Sequence, residues 1–121
     1  MYRGIAVLVV EDEVLVRMDV SSSLSDQGFN VYEARDAGEA MSILESGKRI
    51  QVLFTDVEMP GAMDGLALSA VVHARWPTLK IIVTSGHRTV RREHLPEGAV
   101  FFPKPYDPRR IAKAIEDIID P

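Results

Sequence analysis

Ile5-Ala6-Val7-Leu8-Val9-Val10 runs directly into Glu11-Asp12-Glu13. Six consecutive apolar residues without alternation are what a strand buried on both faces requires. Such a strand belongs to a parallel sheet covered by helices on both sides. Its acidic residues then lie at the carboxyl end, where open parallel sheets build their sites.

The rest of the chain repeats this rhythm of short apolar runs and helical patterns. Glu13 to Ser25 carries Val14, Leu15, Met18 and Leu24 at roughly helical spacing, which predicts that the first three are mostly core. Gly28 ends that helix, and Phe29–Glu33 reads as the second strand. Asp36-Ala37-Gly38-Glu39 has capping-box spacing and opens a helix with Ala40, Ile43 and Leu44 on its inner face. Val52–Thr55 is the third strand and runs into Asp56. Asp64 caps a helix that ends near Arg75 at Trp76-Pro77. Ile81–Thr84 and Ala99–Phe102 are the fourth and fifth strands, with a short helix expected at Arg88–Leu95. Asp107-Pro108 starts the last helix, whose stripe is Ile111, Ala114, Ile115 and Ile118. Five strands alternating with five helices predict an α/β, doubly wound parallel sheet with right-handed crossovers.

Composition narrows the class. The 121 residues fit one domain, 1–121, and 46% apolar with 26% charged residues is ordinary for a soluble globular chain. The absence of cysteine excludes disulfides, thiolate metal sites and a cysteine nucleophile. No apolar run approaches the roughly 18 residues that span a bilayer. The start is too short and too soon acidic for a signal peptide, so the expectation is a cytoplasmic protein that acts at no membrane. A net charge of −4 argues against direct nucleic-acid binding.

The chemistry collects at the strand ends. Strand one leads to Glu11-Asp12, strand three to Asp56, strand four to Thr84-Ser85-Gly86, and strand five to Lys104-Pro105. Carboxylates gathered on one rim repel one another, and one would take up a proton unless a cation sat among them. With oxygen donors alone, a hard divalent ion such as Mg²⁺ is the natural partner. The ammonium and a hydroxyl can hold further phosphoryl oxygens. A carboxylate nucleophile forming an acyl phosphate fits better than nucleotide hydrolysis, because the rim has no histidine base and no glycine-rich phosphate loop.

These segments together resemble the receiver domain of two-component response regulators over essentially the whole chain. The matching stretches are Val7-Leu8-Val9-Val10-Glu11-Asp12, Asp56-Val57-Glu58-Met59-Pro60 with Gly65, Ile82-Val83-Thr84-Ser85-Gly86, and Phe101-Phe102-Pro103-Lys104-Pro105. The resemblance implies the flavodoxin-like strand order 2-1-3-4-5. It implies that Asp56 accepts a phosphoryl group from a phosphohistidine on a histidine kinase or a histidine phosphotransfer protein. Mg²⁺ would then be bound by Asp12 and Asp56, by Glu11 through water, and by the main-chain carbonyl of Glu58. Lys104 would pair with a phosphoryl oxygen, aided by Pro105, because the Lys-Pro bond is often cis in this family. Phe101 stands where the switch aromatic lies. Ser85 is preferred as the switch hydroxyl, with Thr84 the alternative. The Glu58 side chain is expected in solvent, as a modulator of phosphate lifetime.

Other implications concern context. The domain is expected to catalyse only its own phosphorylation and dephosphorylation and to act on a downstream protein partner, as a monomer or a phosphorylation-dependent dimer. Met1 favours a stand-alone regulator; a phosphorelay receiver excised from a hybrid kinase, or a pseudo-receiver interaction module, is the alternative. An aspartyl-phosphate phosphatase is a weaker rival, because Glu58 replaces the second aspartate such enzymes carry. Only 18 residues separate Ser85 from Lys104, so helix four is expected to be short or irregular. The basic run Arg88, Arg91, Arg92 and His94 reads as a solvated face.

Overall fold

A computed structural model describes residues 4–87 and 89–119. Five parallel strands, β1 (Ala6–Val10), β2 (Asn30–Ala34), β3 (Val52–Asp56), β4 (Lys80–Ser85) and β5 (Val100–Pro103), form one sheet in the order β2-β1-β3-β4-β5. Four α-helices connect or follow them: α1 (Val14–Asp26), α2 (Ala37–Glu45), α3 (Gly65–Arg75) and α4 (Pro108–Ile119). The doubly wound architecture expected from the apolar runs is therefore present. Among the described residues no helix is long and apolar enough to cross a membrane.

Strand alternation sorts the core into two layers. Val7, Val9, Phe54 and Ile82 pack with Val20 and Leu24 of α1 and with Ile111 and Ile115 of α4. Leu8, Val10, Leu53 and Val83 pack with Ala40 and Leu44 of α2 and with Leu68 and Val72 of α3. Local signals set the helix starts. Asp36 Oδ1 accepts the Glu39 amide at 2.9 Å, and Glu39 Oε1 accepts the Arg35 amide at 2.8 Å. Asp64 Oδ1 likewise accepts the Ala67 amide at 2.9 Å.

Two expectations need correction. The helix expected fourth in order, at Arg88–Leu95, is no α-helix: among the described residues it is a single 3-10 turn at Arg92–His94, which agrees with the expectation that it be short or irregular, and Arg88 lies outside them. The β-branched pair Thr89-Val90 and the stop at Pro96 leave too little chain for stable α-helical turns. Val14, Leu15 and Met18 are not core: they are 54%, 81% and 54% exposed. The buried stripe of α1 is instead Val20, Ser21 and Leu24, so its phase is set by packing and not by its most apolar residues.

One close approach ties a helix to the end of a strand. The Gly65 amide donates to the Val57 carbonyl at 2.9 Å, and a Cβ at position 65 would lie 1.9 Å from the Asp56 carbonyl oxygen. Only glycine lets α3 begin that close to β3. Gly65→Ala is therefore expected to destabilise the domain by about 3 kcal/mol, the upper range for overpacking, as read from urea unfolding. A loss under about 1 kcal/mol would mean that α3 can shift freely.

Candidate functional site

The carboxyl ends of β1, β3, β4 and β5 converge on one rim. Glu11 follows β1 and is 2% exposed; Asp56 ends β3 and is 3% exposed; Asp12 lies in the open. Each of the three offers a carboxylate oxygen, and those atoms lie within 4.8 Å of one another. Lys104, just after β5, reaches in from the other side. Its Nζ lies 3.0 Å from Glu11 Oε1 and 3.3 Å from Asp56 Oδ2. The Lys104–Pro105 bond is cis. Asp56 Oδ1 makes no hydrogen bond.

The electrostatics follow from crowding. Burial, and then the charge of Glu11, push Asp56 from its ordinary value of 3.8 to about 7, although Lys104 pulls the other way. Burial also raises Glu11 against the hydrogen bond from Lys104. Burial alone would lower Lys104, but its contacts with Glu11 and Asp56 outweigh that and raise it. Three carboxylates face one ammonium at this rim, a balance that a divalent cation with oxygen ligands would complete.

The two hydroxyls at the end of β4 differ. Thr84 Oγ1 is buried with no hydrogen-bond partner. Ser85 Oγ donates to the Glu58 carboxylate, 2.8 Å from Oε1 and 2.7 Å from Oε2. The expectation of a solvent-exposed Glu58 side chain is thus corrected: it is half-buried and folded onto Ser85. Lys104 is tied to the same strand end, its amide donating to the Ser85 carbonyl at 2.9 Å. Phe101 is half-buried and lies opposite Val83 in the strand register, on the α2 and α3 side of the sheet.

Two supporting residues were not singled out from the sequence. Arg17 Nη1 donates to the main-chain carbonyl of Glu11 at 2.8 Å while its Nε pairs with Glu33 at 3.3 Å, pinning the acidic turn. No helical spacing signals it, because its partners Glu11 and Glu33 lie six and 16 residues away. Tyr106 packs edge-on against Phe54 and, with Leu15, Val16, Asp19, Gly86, Lys104 and Pro105, lines an open groove of about 550 Å³.

The model of the response regulator receiver domain matches residues 7–116. The chain belongs to this family. It is 34% identical over 118 residues to the sensor kinase CckA of Brucella abortus, covering 94% of the chain and 12% of that protein. The crystal structure of the receiver domain from the hybrid histidine kinase CckA superposes with a TM-score of 0.80 at 33% identity, covering 95% of this chain and 99% of that one. The receiver domain of NtrX from Brucella abortus gives 0.84 at 30%, with 94% and 98% covered. The chain spans less than a fifth of the full length of the first curated relatives it matches.

The raised Asp56 has a measurable consequence in this receiver. Between its ordinary value of 3.8 and about 7, the folded chain holds a proton that the unfolded chain has released. Stability from this group therefore falls as pH rises through that window. Without divalent cation, Asp56→Asn should melt above wild type by a margin that grows from about pH 4 to about pH 7. Adding Mg²⁺ should shrink the margin. Thermal melts that show a constant margin would refute the crowding argument.

Proposed function

We propose that this receiver takes a phosphoryl group onto Asp56 from a phosphohistidine on a histidine kinase or histidine phosphotransfer protein. The observation that carries the reading is the Asp56 carboxylate itself: one oxygen rests on Lys104 and the other makes no hydrogen bond. In the transfer, a bond forms between an Asp56 carboxylate oxygen and phosphorus as the bond from phosphorus to the imidazole nitrogen breaks. The electron pair returns to the imidazole, which takes a proton from water. Lys104 favours the ionised form of Asp56 against burial and pairs with a phosphoryl oxygen afterwards.

Glu11, Asp12, Asp56 and the main-chain carbonyl of Glu58 are the groups that would hold Mg²⁺. When bound, the ion neutralises charge on the transferring group. Ser85, not Thr84, supplies the switch hydroxyl, because its Oγ reaches the residue two positions after Asp56 while that of Thr84 is buried. Ser85 then moves toward the phosphoryl oxygens, and Phe101 packs into the space it leaves. Val14, Leu15 and Met18 form the exposed apolar face on which the phosphodonor docks, beside the groove that ends at Lys104. The domain performs only its own phosphorylation and dephosphorylation, in the cytoplasm, and passes the change to a protein partner.

The likeness to the CckA receiver favours a second placement, as the receiving station of a phosphorelay within a larger protein. Both placements share the same Asp56 chemistry. Incubation with acetyl phosphate and Mg²⁺, followed by intact-mass analysis, should add one phosphoryl group to wild type and none to Asp56→Asn. Lys104→Ala should slow the reaction by about 100-fold, the scale for losing one preorganised charge partner. Equal labelling of Asp56→Asn would defeat the assignment.

A further inference from the structure

A phosphoryl group on Asp56 presents three oxygens to the rim, and this inference rests on the phosphoacceptor reading above. Lys104 is one positive partner. Among the described residues, further donors close by are the Ser85 hydroxyl and the backbone amide that follows it. Both already serve an anion that belongs to the chain. Ser85 Oγ lies 2.8 and 2.7 Å from the two carboxylate oxygens of Glu58, and the Gly86 amide donates to Oε1 at 3.3 Å. The His87 amide meets Ser85 Oγ from behind at 3.4 Å. A hydroxyl and a main-chain amide converging on one carboxylate form the donor set that an anionic oxygen seeks.

Glu58 is well placed to hold that position. It follows Asp56 by two residues, and Val57 between them is fully buried and donates its amide to the Thr84 carbonyl at 2.9 Å. The chain leaving β3 is thereby fixed against the end of β4. The half-buried Glu58 carboxylate then reaches across to a residue 27 positions away. Its charge is felt at Asp56, where it adds to the upward shift.

We propose that the Glu58 carboxylate is a resident stand-in for a phosphoryl oxygen, seated on Ser85 Oγ and the Gly86 amide, and that phosphorylation of Asp56 must eject it. Glu58 is thus a positioning residue that acts through Ser85. It keeps the hydroxyl turned toward the rim before any phosphoryl group arrives, and it competes with the incoming group for the same donors. The cost appears as weaker binding of a phosphoryl mimic and slower phosphorylation.

The competition differs from simple repulsion between Glu58 and the incoming charge, because it passes mainly through the Ser85 hydroxyl, whose 2.8 and 2.7 Å contacts are much closer than the 3.3 Å contact of the Gly86 amide. Wild type, Glu58→Ala, Ser85→Ala and the double variant are compared with Mg²⁺ in two measurements. One is beryllofluoride affinity; the other is the rate of labelling by acetyl phosphate, read by intact mass. Glu58→Ala should gain roughly tenfold in both, the scale of one charge-assisted hydrogen bond. In the Ser85→Ala background the same substitution should gain less than about twofold. Wild type that accepts no phosphoryl group overturns the phosphoacceptor reading, and this inference with it. Labelled wild type with no gain in Glu58→Ala, or with an equal gain in both backgrounds, overturns this inference alone. Thermal melts of all four proteins show that each variant is folded.

Discussion

Two buried carboxylates held beside one ammonium set the terms for the rest of this domain. Glu11 and Asp56 are drawn out of water at the ends of adjacent strands, and Lys104 stands 3.0 and 3.3 Å from them. Burying charge costs more than one partner returns, which is why Asp56 sits near neutrality in its proton affinity. The hydrophobic layers above and below the sheet must be good enough to hold that arrangement. Val9, Val10, Leu53 and Phe54, all buried immediately before the acidic residues, provide it.

The scaffold also limits how these groups can relax. Arg17 holds the main chain of Glu11, the Lys104 amide is bonded to Ser85, and the Val57 amide is bonded to Thr84. Each bond joins one strand end to another element, so the charged groups cannot separate without breaking main-chain hydrogen bonds. Preorganisation of this kind suits a site whose chemistry consists of adding charge.

Much of this was legible in the sequence. Unbroken apolar runs announced strands buried on both faces, and the residues that ended each run named the rim. Asp36 and Asp64 announced helix starts through short-range signals that survive folding. Other features were hidden for definite reasons. The phase of α1 was misread because Val14, Leu15 and Met18 outweigh Ser21 in hydrophobicity, yet Ser21 faces the core. The bond between Ser85 and Glu58 joins residues 27 positions apart, and no periodicity encodes it. Nor does any pattern encode that Ser85, and not Thr84, contacts Glu58 with its hydroxyl. The helix expected fourth shrank further than expected, to a 3-10 turn among the described residues, because Thr89-Val90 and the stop at Pro96 leave too little chain for α-helical turns.

The glycine at the start of α3 has a mechanical consequence. With a Cβ-free contact against the Asp56 backbone, α3 and β3 move as one body, and that side of the site behaves as a stiff wall. Residues 89–99 pack into the same core layer as α3 but differ from it: Val90 is their one buried side chain, and their regular structure is a single turn. Few buried contacts make that segment soft. A close-packed helix and a sparsely packed loop thus share one core layer, and the closeness of the first is set by one missing methyl group at position 65.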